Sequence, residues 1–165
     1  MIDLKSKKIY MISILVIILI LYFSYLNFFK TREVKLYFSD KEAQYLLPES
    51  RKLKVSNLYQ SIVEELIEGP ESKNLEITIP SQTRLIDIKL EDGTALVNFS
   101  KELKSKHWGG STGEIITVYS IVNTLTSLEE IDQVRILISG KKIDTLVGHL
   151  ELDKPLGFNS KLLIQ

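Results

Sequence analysis

The residues that invite a catalytic reading lie between His107 and His149. Gly109-Gly110-Ser111-Thr112-Gly113 matches G-x-S-x-G, the turn that presents a nucleophilic serine. Asp144 and His149 then follow in the order serine, acid, histidine that one class of serine hydrolase uses. Such a turn needs a buried strand running straight into it, whereas Lys101 to Trp108 is polar and ends in His-Trp. Ser111 also has a simpler role. With Glu114 three residues later it spells a capping box, in which the serine closes the first turn of a helix and the glutamate reaches back to it. Ser111 is therefore expected to be a cap whose loss costs stability and no activity. An anion at the same helix start would meet Glu114 in the first turn and no basic residue within the motif, which speaks against an anion site.

The remaining chemistry is sparse. There is no cysteine, so thiolate nucleophiles, disulfides and cysteine-based metal sites are excluded. His107 and His149 are the only histidines, and no H-E-x-x-H or carboxylate cluster joins them. No metal, cofactor or catalytic residue is expected. Asn98-Phe99-Ser100 is a formal glycosylation sequon, but its place in a strand makes Asn98 a sheet-face residue. Tyr37, Tyr45 and Trp108 remain as candidates for protein contact, because aromatic side chains dominate interface hot spots.

Charge narrows the partners further. Basic and acidic residues both number 21, yet residues 1–30 hold Lys5, Lys7, Lys8 and Lys30 against Asp3, leaving the rest of the chain mildly acidic. Without a basic run there is nothing to neutralise phosphates, so nucleic acid is set aside.

The elements that must position these residues can be read in order. Ile9 to Phe29 carries no charge, and a helix of that length rises roughly 31 Å, the thickness of a bilayer core. It is expected to be an uncleaved transmembrane anchor over 9–29, with residues 1–8 in the cytoplasm and the rest outside, because Lys5, Lys7 and Lys8 favour the inner side. A cleaved signal peptide is the alternative, but the run exceeds the usual apolar core and no A-x-A-like site follows. Residues 30–33 would form a short linker. Val34, Leu36 and Phe38 alternate as a strand, and Ala43 to Arg51 is extended, with Pro48 demoting it to an edge or ending it.

Ser56 can cap a helix whose Leu58, Ile62, Val63, Leu66 and Ile67 share a face, stopped at Gly69-Pro70. Asp92-Gly93 predicts a type I′ hairpin that pairs Leu90 with Ala95, Ile88 with Val97 and Ile86 with Phe99. Ser111 to Leu128 is expected to be an amphipathic helix with Ile115, Val118, Tyr119, Val122, Leu125 and Leu128 on its apolar stripe. It feeds a strand over Asp132 to Ser139. A second hairpin with Gly140 as its first central residue would pair Ile138 with Ile143 and Val134 with Val147. The sum is an α+β domain: behind the transmembrane helix, one mixed or antiparallel sheet with two helices packed on one face.

Read together, V-K-L-Y-F-S-D (34–40), Y-L-L-P-E-S-R (45–51), L-I-E-G-P-E (66–71), I-P-S-Q-T-R-L (79–85), A-L-V-N-F-S (95–100), G-S-T-G-E (110–114), V-N-T-L (122–125) and V-R-I-L-I-S-G-K (134–141) resemble the GerMN domain of sporulation and spore germination proteins. The resemblance covers residues 34–155 and leaves 156–165 as a tail. It implies an extracytoplasmic, non-enzymatic domain of spore-forming bacteria, related in fold to ring-building domains of the channel that joins mother cell and forespore. It implies no catalytic residues. Some family members carry two such domains on a lipoprotein anchor and others append a propeller; here one domain follows an apolar helix and no lipobox cysteine is present. The function expected is that of an envelope assembly or scaffold component, with the membrane, other sporulation envelope proteins or a second copy as partners. The alternative is a module that binds a ligand or cell-wall fragment.

Overall fold

The computed structural model describes residues 4–28 and 30–164, with the side chains of residues 4–6, 9 and 26–28 outside the description. Helix α1 spans Leu4–Phe28. Its described side chains are exposed on every side, with Ile20 and Leu21 above 60%. Among the described residues no helix is long and apolar enough to cross a membrane. The described side chains of α1 run unbroken only from Tyr10 to Tyr25, and Ile9 and residues 26–29 of the expected span lie outside them.

Strand β1 begins at Thr31 and runs to Ser39, antiparallel to β2 at Leu46–Lys54, so most of the expected 30–33 linker is strand. Thr31, Arg32 and Glu33, assigned to a linker by composition, pair with Lys54, Leu53 and Lys52. Ladder hydrogen bonds recruit polar residues that alternation alone does not mark. Pro48 sits inside β2, opposite Tyr37. Tyr37 sends its N–H to Thr124 Oγ1 (2.9 Å) and takes the Ser120 hydroxyl on its carbonyl (2.7 Å). Both its backbone groups thus point away from β2, so a proline partner removes no ladder bond.

A 3-10 turn, Val55–Asn57, leads into α2 at Leu58–Glu68, which buries Leu58, Ile62, Val63 and Leu66. The expected cap at Ser56 is not made: Asn57 occupies the cap position and its side chain accepts no capping bond. Strands β3 (Leu85–Glu91) and β4 (Thr94–Phe99) form the expected hairpin, with Asp92 at φ 45° and Gly93 at φ 75°, as a type I′ turn requires. Pairing follows the predicted register from Glu91–Thr94 to Asp87–Asn98 and then slips. Ser100 bonds the Arg84 backbone in both directions and draws Leu85 opposite Phe99, so Ile86 is extruded as a bulge and is 52% exposed.

After a four-residue helix α3, Glu102–Ser105, comes α4 at Ser111–Thr126. It crosses over to β5 (Gln133–Ile138), which lies parallel to β4, while β6 is only Lys141–Lys142. The second hairpin turns one residue earlier than expected, on Ser139 (φ 50°) and Gly140 (φ 77°), and pairs Ile138 with Lys141. Val134 bonds Leu156 of the tail in place of Val147.

The expected single sheet is in fact two, a β1–β2 ribbon and a four-stranded sheet in the order β3-β4-β5-β6. Both helices meet both sheets: α2 touches β1, β2 and β3, and α4 touches β1 and β5. Consequently α4 is buried almost all round, including Thr117, Ser120, Asn123 and Thr124. These hydroxyls are what an edge strand needs, since Ser120 and Thr124 occupy the β1 backbone groups that would otherwise invite another strand.

Candidate functional site

The end of the domain farthest along α4 from Arg32 gathers the residues singled out by their chemistry. Gly110, at φ 82°, occupies the cap position of α4, and Ser111 is already the first helical residue, exposed and without a capping bond. The capping box is therefore not formed. Glu114 instead is fully buried and turns toward the loop after β6, accepting the backbone N–H of Leu146 (2.7 Å) and Val147 (2.9 Å) on Oε1 and of His149 (2.7 Å) on Oε2. Burial pushes this carboxyl up, but the bonds from Val147, His149 and Leu146 outweigh it and hold it below the usual range. Asp144 and the His149 ring make no hydrogen bond with Ser111, so the serine, acid and histidine of the motif are not assembled. Replacing Ser111 with alanine should accordingly change stability by less than about 0.5 kcal/mol in chemical denaturation. A fluorophosphonate probe should leave the serine unlabelled.

His107 is also consumed by the scaffold. Its Nδ1 accepts the Gly109 N–H (2.9 Å), which places the proton of the neutral ring on Nε2. Nε2–H then donates to Thr117 Oγ1 (3.0 Å), whose own hydroxyl donates to the Thr78 carbonyl (2.6 Å). Burial lowers the His107 pKa, with Glu114 pulling the other way, and a neutral ring is what this chain of bonds requires. Trp108 stacks on His107 at 5.2 Å and 27°. It lies over the first turn of α4, where a Cβ on Gly113 would come within 3.1 Å of its Nε1. The indole remains 52% exposed and, with Ile77, Ile116, Ala43 and Gly113, lines a shallow, mainly apolar groove of about 200 Å³.

The other two aromatic candidates part company. Tyr45 is exposed, whereas Tyr37 is buried against Leu46 and Ile116 and meets Phe158 edge-on at 5.9 Å. Phe158 belongs to the tail, which is part of the domain: Asn123 bonds Asn159 in both directions and Leu163 bridges to Leu46. Among the described residues no group of histidine, aspartate and glutamate could hold a metal.

One cluster had no counterpart in the sequence reading. Arg51, buried on the inner side of β2, sends Nε (3.0 Å) and Nη2 (2.7 Å) to Glu49 Oε1, Nη1 to Glu65 and Nη2 to the Gly69 carbonyl (2.7 Å). Glu49 in turn accepts the N–H groups of Glu71 and Ser72. The segments Y-L-L-P-E-S-R and L-I-E-G-P-E thus meet on one guanidinium, and G-S-T-G-E meets the loop after β6 through Glu114. A lone arginine among the apolar positions of a strand was the available signal.

Comparison with known proteins agrees with this layout. The Germane family model, described as sporulation and spore germination, matches residues 35–144. A candidate lipoprotein from Clostridium perfringens of known crystal structure is 30% identical, with a TM-score of 0.58 over 77% of this chain and 87% of that one. The first GerMN domain of the sporulation protein GerM from Bacillus subtilis superposes with a TM-score of 0.64 at 24% identity, over 79% of this chain and 99% of that one. The tandem GerMN domains of the same protein give 0.64 at 19%, over 81% of this chain and 46% of that one. The curated proteins give no match. The chain belongs to the sporulation and spore germination family, and the domain built around Arg51 and Glu114 is a GerMN domain.

Proposed function

We propose that this protein is a membrane-anchored, extracytoplasmic and non-enzymatic component of the spore envelope, acting in sporulation or germination as an assembly or scaffold part. The observation that carries the reading is how the far end of the domain uses its reactive groups. Glu114 and His107 spend their oxygens and ring nitrogens on backbone and hydroxyl partners, while Trp108, Ile77 and Tyr45 face outward. Such a surface can bind a protein, and neither Glu114 nor His107 is left to act on a substrate. The anchor is supported by α1, because a helix apolar on all sides with its side chains uncovered is stable in lipid and not in water. The relative from Clostridium perfringens is named as a lipoprotein; this chain has no cysteine to carry a lipid, and α1 is the apolar segment we assign to the same task.

Deletion of the gene should abolish heat-resistant spores and leave growth unchanged. The full chain should restore them, and residues 30–165 released from α1 should not; the cut falls at 30 because Thr31 is already paired. In spheroplasts, protease should digest a C-terminal tag. A vegetative uptake defect with normal spores would instead favour the ligand-binding alternative.

A further inference from the structure

We propose that the domain makes a second contact with the bilayer beside α1, through the 3-10 turn Val55–Asn57 and the lysines at the adjoining end of the β1–β2 ribbon, which meet anionic lipid headgroups. The proposal rests on α1 being a membrane helix. Its basis is the join between the two. The Lys30 carbonyl accepts the Val55 N–H (2.9 Å), and α1 packs against the turn that Val55 opens. Val55 is therefore held at the end of the apolar helix, and it is 39% exposed, an aliphatic side chain turned outward where the bilayer surface would begin. Lys52 and Lys54 are two residues apart on β2, so they project from one face, and both are exposed; Lys54 stands opposite Thr31, the first residue of β1. Lys30 is exposed beside them.

Charge at this end of the domain is divided. Arg32 binds Glu130 (2.7 Å), and behind that pair lie Glu129 and Asp132, the latter beside Gly93 of the β3–β4 turn. Exposed Glu33 stands opposite Lys52, so Lys30, Lys52 and Lys54 leave the ribbon side net basic against the acidic turn side, and an anionic surface draws down the ribbon and repels the turn. The domain then stands on the membrane in a fixed orientation. Helix α4 runs from the far end down to this one, and its 16 residues lift Trp108 away from the lipid by roughly 24 Å. A headgroup contact of this kind turns a single-helix tether into a two-point mount, and the groove by Trp108 is then presented at a set height to other envelope proteins.

Because the chain has no cysteine, single sites can be labelled without removing others. Val55→Cys and, as a control at the far end, Thr112→Cys would be labelled in the full-length protein with an environment-sensitive fluorophore. Each is reconstituted into vesicles of phosphatidylglycerol and phosphatidylcholine carrying a headgroup-level spin quencher. The label at position 55 should be quenched and that at 112 should not. In phosphatidylcholine alone, or with Lys52→Glu and Lys54→Glu together, the quenched state should weaken by about fivefold for each lysine interaction lost. A protein that floats with the vesicles while its label at 55 stays unquenched would overturn the second contact and leave the anchor intact. Quenching that ignores both lipid charge and the two substitutions would overturn the role of the lysines. Failure to float with vesicles at all would overturn the anchor, and the second contact with it.

Discussion

Replacing Arg51 with alanine is expected to cost the domain about 3–5 kcal/mol, because Glu49 and Glu65 lose a buried cation and Glu49 keeps only two backbone N–H groups against its charge. The Arg51 side chain is only 7% exposed, and Glu49 beside it 13%, so water cannot take over as it does at a surface pair. The loss reaches beyond charge. Arg51 also binds the Gly69 carbonyl and lies 5.6 Å from the centre of the Phe38 ring, so the same substitution frees the end of α2 and uncovers part of the core. Lysine should recover only part of the loss, since one ammonium cannot reproduce the forked contacts to Glu49, Glu65 and Gly69 at once. Urea denaturation followed by circular dichroism measures this directly. A change under about 1 kcal/mol for Arg51→Ala would mean that the pair is screened like an exposed one.

What the sequence made legible was local. Asp92-Gly93 set the first hairpin and five of its pairs, because turn chemistry and alternation act within a few residues. The stripe of α2 was likewise visible at Leu58, Ile62, Val63 and Leu66, where one side of a helix faces the core. The misses share a different cause: partners far away in the chain. Glu114 looks like half of a capping box because the other half, Ser111, sits at the right spacing, yet the carboxylate is claimed by N–H groups more than thirty residues downstream. Ser120 and Thr124 read as the solvent face of α4 until β1 places its open edge against them, and Thr117 until the Thr78 carbonyl meets it. The stripe held at Val118, Val122, Leu125 and Leu128 but was incomplete for the same reason: Ile116 and Ile121 are also buried, while Ile115 and Tyr119 are only partly so. Residues 156–163 carry little periodicity, so the apolar run Leu162-Leu163-Ile164 suggested docking on the core without showing its partners, which are Val134, Asn123 and Leu46. The interaction candidates fared in proportion to their surroundings, with Trp108 and Tyr45 outward and Tyr37 taken up by the tail.

Glu114→Gln tests whether the family's G-S-T-G-E segment is a structural tie, and it should lower stability by about 2–4 kcal/mol at neutral pH. The amide keeps one acceptor oxygen but turns an NH₂ toward either the Leu146 and Val147 amides or that of His149, where the carboxylate had been an acceptor. A buried donor facing a donor is worse than an empty site. The effect must also depend on pH in a fixed direction. The folded-state pKa of Glu114 is held below its unfolded value near 4.5, so the native protein takes up this proton less readily than the unfolded chain. The stabilisation is therefore complete above about pH 4.5 and is lost as the pH falls through the folded value. Protonated glutamate, like glutamine, carries a donor where the loop offers only donors. The stability gap between the wild-type chain and Glu114→Gln should thus be widest near neutrality and close on acidification, with Glu49→Gln as a second probe because that carboxyl too is held low. Denaturation curves for both chains from pH 7 downward would show it, and a gap that stays constant through the carboxylate range would mean that Glu114 does not hold the loop as an anion.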